Sequence, residues 1–149
     1  MTLTHRFASA LAVATMLLAG VLNTNAQTPR PEYPRPQFER EAWVNLNGTW
    51  SYSFDFGKTG GQKGWRDSKG FEGKITVPFC PESKLSGVGY TDFINHIWYQ
   101  RPLQMPAGWA GRRVMLNFGA VYYNSAVYID GKLVGRHFGG STPFGFDVT

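Results

Sequence analysis

The chain has 149 residues, a formal charge of +5 and 15% aromatic side chains. That length supports one domain with one modest core and leaves no room for two. Its cations are scattered from Arg30 to Arg136 instead of gathered in a stripe, which argues against nucleic-acid binding, and the lone Cys80 excludes an intramolecular disulfide.

In chain order, Arg6 precedes the apolar run from Phe7 to Leu22, and small Thr24 and Ala26 follow at the spacing a signal peptidase reads. Residues 1–26 are therefore expected to be a cleavable secretory signal, with a secreted or periplasmic product. The apolar run is shorter than the ~20 residues a bilayer-spanning helix needs, and no second such stretch follows, so no membrane span is expected. Residues 27–42 form an extended leader, because Pro29, Pro31, Pro34 and Pro36 each fix φ and remove an amide donor.

The domain proper is expected over 43–149. In "LNGTWSYSFDFG", Trp50, Tyr52, Phe54 and Phe56 alternate with Ser51, Ser53 and Asp55, the period-two pattern of a half-buried strand. Asn47-Gly48 ahead of it is a turn signal that also fits the N-glycosylation pattern, with the turn favoured. A glycine-rich loop around Trp65 leads to a short strand in "KITVPF". Residues 80–95 then carry Pro, Ser and Gly with little periodicity and read as a long surface loop, a common place for binding residues. "HIWYQRPLQMP" and "RVMLNFG" restore strand character. In "SAVYIDGKLVGRHF", two β-favouring runs flank Asp130-Gly131, a two-residue hairpin turn. No helical period is sustained beyond the signal, so the mature chain reads as all-β, with turns at sandwich-like spacing.

Chemistry is sparse. Glycoside cleavage usually needs two facing carboxylates, one kept protonated by its surroundings, and the sequence identifies no such pair. Asp55 alternates outward on its strand and Asp130 belongs to a turn, so both read as solvated. His96, His137 and Cys80 have no metal-ligand spacing, and Cys80 in "PFCPES" reads as an inert thiol in a packed turn. No phosphate-binding glycine loop is present. The remaining signal is aromatic: flat rings stack on sugars, yet they also fill cores. Trp50 reads as core, while Trp65, Tyr90 and Trp109 on loops are balanced between the two roles.

Taken together, "RPEYPRPQFER", "WVNLNGTWSYSFDF", "ITVPFCPESKLSGVG" and the run from "IWYQRPLQMP" through "GGSTPFGFDVT" closely resemble the N-terminal sugar-binding domain of glycoside hydrolase family 2. That family includes β-galactosidases, β-glucuronidases and β-mannosidases. The resemblance implies a jelly-roll-like β-sandwich, normally followed by an immunoglobulin-like domain and a (β/α)₈ barrel, neither of which this sequence contains. It implies a retaining exo-β-glycosidase whose catalytic glutamates lie on the barrel, beyond Thr149, so that this chain alone is inactive. "GGSTPFGFDVT" resembles a mid-domain motif, and the sandwich is expected to continue past Thr149.

The same resemblance implies a carbohydrate partner, a β-galactoside or β-glucuronide-type glycan, and leaves open a homo-oligomer for the full-length enzyme; no cofactor and no metal are expected, since the residues lack the spacing for one. It brings the loop from Cys80 to Tyr99 to the rim of the active site. There His96 occupies the polar position before "IWY" where relatives commonly carry Asn, and Asn95 and Asp92 are alternative sugar contacts. Tyr122 stands where Asp is frequent and Ser141 where an aromatic is frequent. "WYQR" also occurs in β-glucuronidase-like members, while the leader and "VPFCPES" resemble β-galactosidase-like ones, the preferred reading. Two other functions stay open: a free-standing carbohydrate-binding module, and a structural domain that buttresses the barrel or a subunit interface.

Overall fold

A computed structural model describes residues 28–149. The signal expected over 1–26 lies outside the described residues. Seven strands carry the fold: β1 (Gly48–Phe54), β2 (Gly73–Val77), β3 (Ile97–Gln100), β4 (Met115–Phe118), β5 (Asn124–Ile129), β6 (Lys132–Phe138) and β7 (Phe144–Asp147). Every pairing is antiparallel, in the order β2-β1-β3, with β4 on β7 and β5 on β6. Among the described residues the helical segments are all short 3₁₀ turns, and the expected all-β sandwich is borne out.

The central sheet has two differently furnished faces. Alternation puts Trp50, Tyr52 and Phe54 on one face, opposite Ile75, Tyr99 and Ile97 in the register. Ile75, 1% exposed, is the one fully buried aliphatic side chain among the described residues, a burial that stabilises by about 2 kcal/mol. The 80–95 loop crosses this face, with the Tyr90 ring 4.7 Å from Phe54. It is closed by Tyr90 N–H donating to the Pro81 carbonyl at 2.9 Å and carries Ser86, also 1% exposed.

Ser51 and Ser53 take the other face with Trp98 and Gln100. The β5–β6 hairpin covers it through Tyr128, stacked on Trp98 at 6.1 Å. That hairpin turns as expected on Asp130-Gly131, both with positive φ, and has a bulge at Val127/Tyr128. β6 packs on the β4–β7 pair, where the Phe146 ring lies so close to Gly135 that a Cβ there would fall 2.6 Å from Cδ1.

The leader is extended, with one 3₁₀ turn over Pro36–Phe38, and is tied to the domain. Tyr33 meets Trp43 edge-on at 4.7 Å, and the Asn47 amide donates to the Pro29 carbonyl at 3.1 Å. The Asn47 side chain thus ties the leader to the domain, and Asn47-Gly48 runs straight into β1 instead of forming the expected turn. Two further expectations are corrected. Asp55 is buried, at 4% exposed, because the face it points to is covered by Trp98 and Trp65. Cys80 is exposed, because the turn after β2 presents it to solvent instead of packing it.

Candidate functional site

The strand β1 ends at Phe54, and the chain just past it holds the loop expected to meet sugar. Asp55 N–H donates to the His96 carbonyl at 2.9 Å, and the Asn95 side-chain amide donates to the Phe56 carbonyl at 2.8 Å. Residues 95 and 96 are therefore locked to residues 55 and 56 from both sides, directly before β3.

The lock is itself anchored by the Asp55 carboxylate. It accepts from Thr59 N–H at 2.9 Å, from Gly60 N–H at 2.8 Å and from the Trp98 indole N–H at 2.9 Å. Burial acts to raise the Asp55 carboxyl, but the Gly60, Trp98 and Thr59 donors, with the pull of His96, outweigh it and hold the group below the usual carboxylate range. Gly60 is required by contact: a Cβ there would lie 2.5 Å from Trp98 Nε1 and 2.7 Å from the carboxylate. Asp55 is thus a positioning residue, saturated with donors and set to stay ionised, the opposite of a protonated catalytic acid. The other described acids are all exposed.

On this foundation the three predicted contacts sit together on one loop. The side chains of Asp92 and His96 are exposed, and the His96 ring leans on Trp98 at 6.0 Å. Asn95 spends its amide N–H on Phe56, which leaves its side-chain oxygen to accept. Sequence reasoning missed Phe93, 84% exposed between them, and it missed the anchoring by Asp55. Polar and apolar contacts side by side suit a sugar, whose ring offers hydroxyl edges and C–H faces. No group of three or more His, Cys, Asp or Glu among the described residues could hold a metal, and no described helix is long and apolar enough to cross a membrane.

Of the aromatic residues left balanced, Tyr90 packs in the core against Phe54 and Phe56, while Trp65 is half-buried beside Trp98 and Phe71.

No family model matches the chain. The β-glucuronidase of Felis catus is 32% identical over an alignment of 127 positions that covers 78% of this chain and 19% of that protein. A β-galactosidase of Thermoanaerobacter pseudethanolicus is 38% identical over 52 residues, 35% of this chain and 7% of that protein. Among solved structures, the β-glucuronidase of an uncultured Clostridium sp. superposes with a TM-score of 0.63 at 28% identity, covering 79% of this chain and 21% of that one. The chain spans about a fifth of the length of the curated β-glucuronidases it matches at full extent. With motifs, matched stretch and fold in agreement, the chain belongs to glycoside hydrolase family 2 and is consistent with that family's N-terminal domain.

Proposed function

We propose that the chain is the non-catalytic sugar-binding domain of a secreted, retaining exo-β-glycosidase, and that its Asp92–His96 loop borders an active site carried elsewhere in the whole protein. The observation that carries this reading is the loop's attachment: the His96 carbonyl is held by Asp55 N–H and the Asn95 side-chain amide by the Phe56 carbonyl, while the His96 ring and the Asp92 side chain are exposed. Rigid support of that kind is what a positioned sugar contact needs. In this reading His96 and Asn95 bind hydroxyls of the terminal sugar, Phe93 shields its C–H face, and catalytic glutamates act from another domain.

A β-glucuronide is the favoured substrate class. Relatives named β-glucuronidase match over 78% of the chain, whereas the β-galactosidase above matches over 35%. This revises the β-galactoside preference drawn from the leader and "VPFCPES".

The test uses the whole protein carrying this chain, with 4-nitrophenyl β-glucuronide and β-galactoside as substrates. His96→Ala is expected to raise KM about five- to tenfold with kcat changed much less, as loss of one hydrogen bond to bound substrate would do. Unchanged kinetics in both His96→Ala and Asn95→Ala would leave the domain a buttress. Turnover by residues 27–149 alone would overturn the non-catalytic assignment.

A further inference from the structure

A second feature of the molecule has the chemistry of a binding site and shares no residue with the Asp92–His96 loop. β2 pairs with β1 only as far as Gly73 opposite Tyr52, so Ser53 and Phe54 have no partner on that side. Beyond that last pair the edge of β1 is open, and a cleft of about 510 Å³ lies between it and the segment before Gly73. Trp65 and Phe71 line it together with Tyr52 at the strand edge, and Ser53, Ser68 and Glu72 are its polar lining residues.

The rings are held by the protein. Trp65 and Phe71 lie 5.5 Å apart at 60°, and Trp65 meets Trp98 edge-on at 6.3 Å. Gly60 supports Trp65 from beside, since a Cβ there would fall 2.6 Å from its ring. A lining that combines fixed rings with hydroxyls and a carboxylate matches a pyranose, which stacks its C–H face on an aromatic and offers hydroxyls at its edge.

Charge narrows the ligand. Lys63 Nζ sits 5.6 Å from the Trp65 ring centre, and Lys74 Nζ donates to the Phe71 carbonyl at 3.4 Å, so both ammonium groups contact residues that line the cleft without lining it themselves. Arg66 and Lys69 lie on the same segment, and all four are exposed or half-buried. The ion pairs among the described residues, Arg30–Glu32 and Arg113–Asp147, involve none of them. Cations without acidic partners beside a sugar-shaped cleft suit carboxylate-bearing sugars.

We propose that this cleft binds an acidic oligosaccharide, a chain of pyranoses bearing uronate groups, as an accessory site. The proposal stands on the cleft alone and does not require the Asp92–His96 loop to touch substrate. A single-stranded nucleic acid also combines stacking rings with negative charge, but the cations here do not extend into the track that a phosphodiester backbone needs.

The test is an NMR titration of the ¹⁵N-labelled chain with a hyaluronan hexasaccharide, in which glucuronate alternates with a neutral sugar. Maltohexaose and a thymidine hexanucleotide serve as references. Backbone amides of Ser68–Gly73 and the Trp65 indole N–H are expected to move with the hexasaccharide at a Kd of about 1 mM or tighter. Binding is expected to weaken about fivefold or more at about 0.5 M NaCl, where exposed charges are screened. Phe71→Ala and Lys74→Ala each should weaken it about five- to tenfold while leaving shifts elsewhere unchanged; they avoid Trp65, whose removal could unfold the Asp55 anchor.

Absence of movement at these amides would overturn the proposal. So would movement confined to residues 92–96, equal binding of maltohexaose, or tighter binding of the hexanucleotide. The Asp92–His96 reading is judged separately by the kinetics of the whole protein.

Discussion

The two halves of the described chain are held by different means. From β1 to β3, side chains are buried and polar groups interlock: Ile75, Ser51, Asp55 and Ser86, the buried non-glycine residues, all belong to this stretch. From β4 to β7 no side chain is buried, and rings lie on rings instead. His137 stacks on Phe144 at 3.9 Å, Phe118 on Phe144 at 4.9 Å, and Phe146 lies against Gly135. Burial with specific donors fixes geometry to tenths of an ångström, whereas stacking leaves rings room to slide. The loop proposed to meet sugar is attached to the first kind of structure.

The comparison breaks most readily at Ile75. Truncation to Ala is expected to destabilise by about 3 kcal/mol, the cost of a cavity at a buried aliphatic site, read as a lowered midpoint in urea. A loss below about 1 kcal/mol would mean that the Ile75 face is not the core.

Gly60→Ala comes next, at about 2–3 kcal/mol, because the new methyl meets Trp65, Trp98 and the Asp55 carboxylate together, and none can yield alone. In the parallel change in the other half, Gly135→Ala, the nearest atoms all belong to the Phe146 ring. Its cost is expected to be smaller and to be relieved by Phe146→Leu. Equal, unrelieved costs in the two variants would erase the distinction between the halves.

Asp55→Asn is expected to cost about 2 kcal/mol near neutral pH, since an amide group would face donors where the carboxylate accepts. The sign of its pH dependence follows from a folded pKa held below the unfolded value of about 3.9. Stability from the ionised group is fully present above about pH 4 and is lost as pH falls through the folded value, so the gap between wild type and variant should close in acid. A gap constant with pH would show that the charge is not what matters.

The smallest effect is expected at the Arg113–Asp147 pair. Thr149's hydroxyl and amide, with Arg113, hold Asp147 at about 2, and the Arg113 contact is 2.8 Å, but both groups face water. Arg113→Ala should leave the midpoint of thermal melts almost unchanged, because water and salt screen an exposed pair.

The sequence exposed whatever is encoded locally. The alternation through Trp50, Tyr52 and Phe54 located β1, Asp130-Gly131 located the hairpin turn, and the aperiodic run after Cys80 located the loop. It misjudged Asp55 because period two reports which face a residue points to, not whether that face is covered. The cover comes from Trp98, 43 positions away, and from the turn around Trp65. The clamp of Asn95 and His96 on residues 55 and 56 was hidden for the same reason. Cys80 was misread because a small side chain in a proline-flanked turn has no pattern that separates packed from exposed.

The Trp98 indole touches both supports of the candidate site at once, donating to the Asp55 carboxylate while stacked on Tyr128 of the hairpin. Indole emission responds to a neighbouring charge, and a tyrosine ring 6.1 Å away passes excitation to it efficiently. The domain therefore carries its own optical gauge. Acid that protonates Asp55 should alter Trp98's share of the emission, and departure of the hairpin should cut the part sensitised by Tyr128; comparison with Tyr128→Phe separates that part from other pairs such as Tyr33–Trp43 at 4.7 Å.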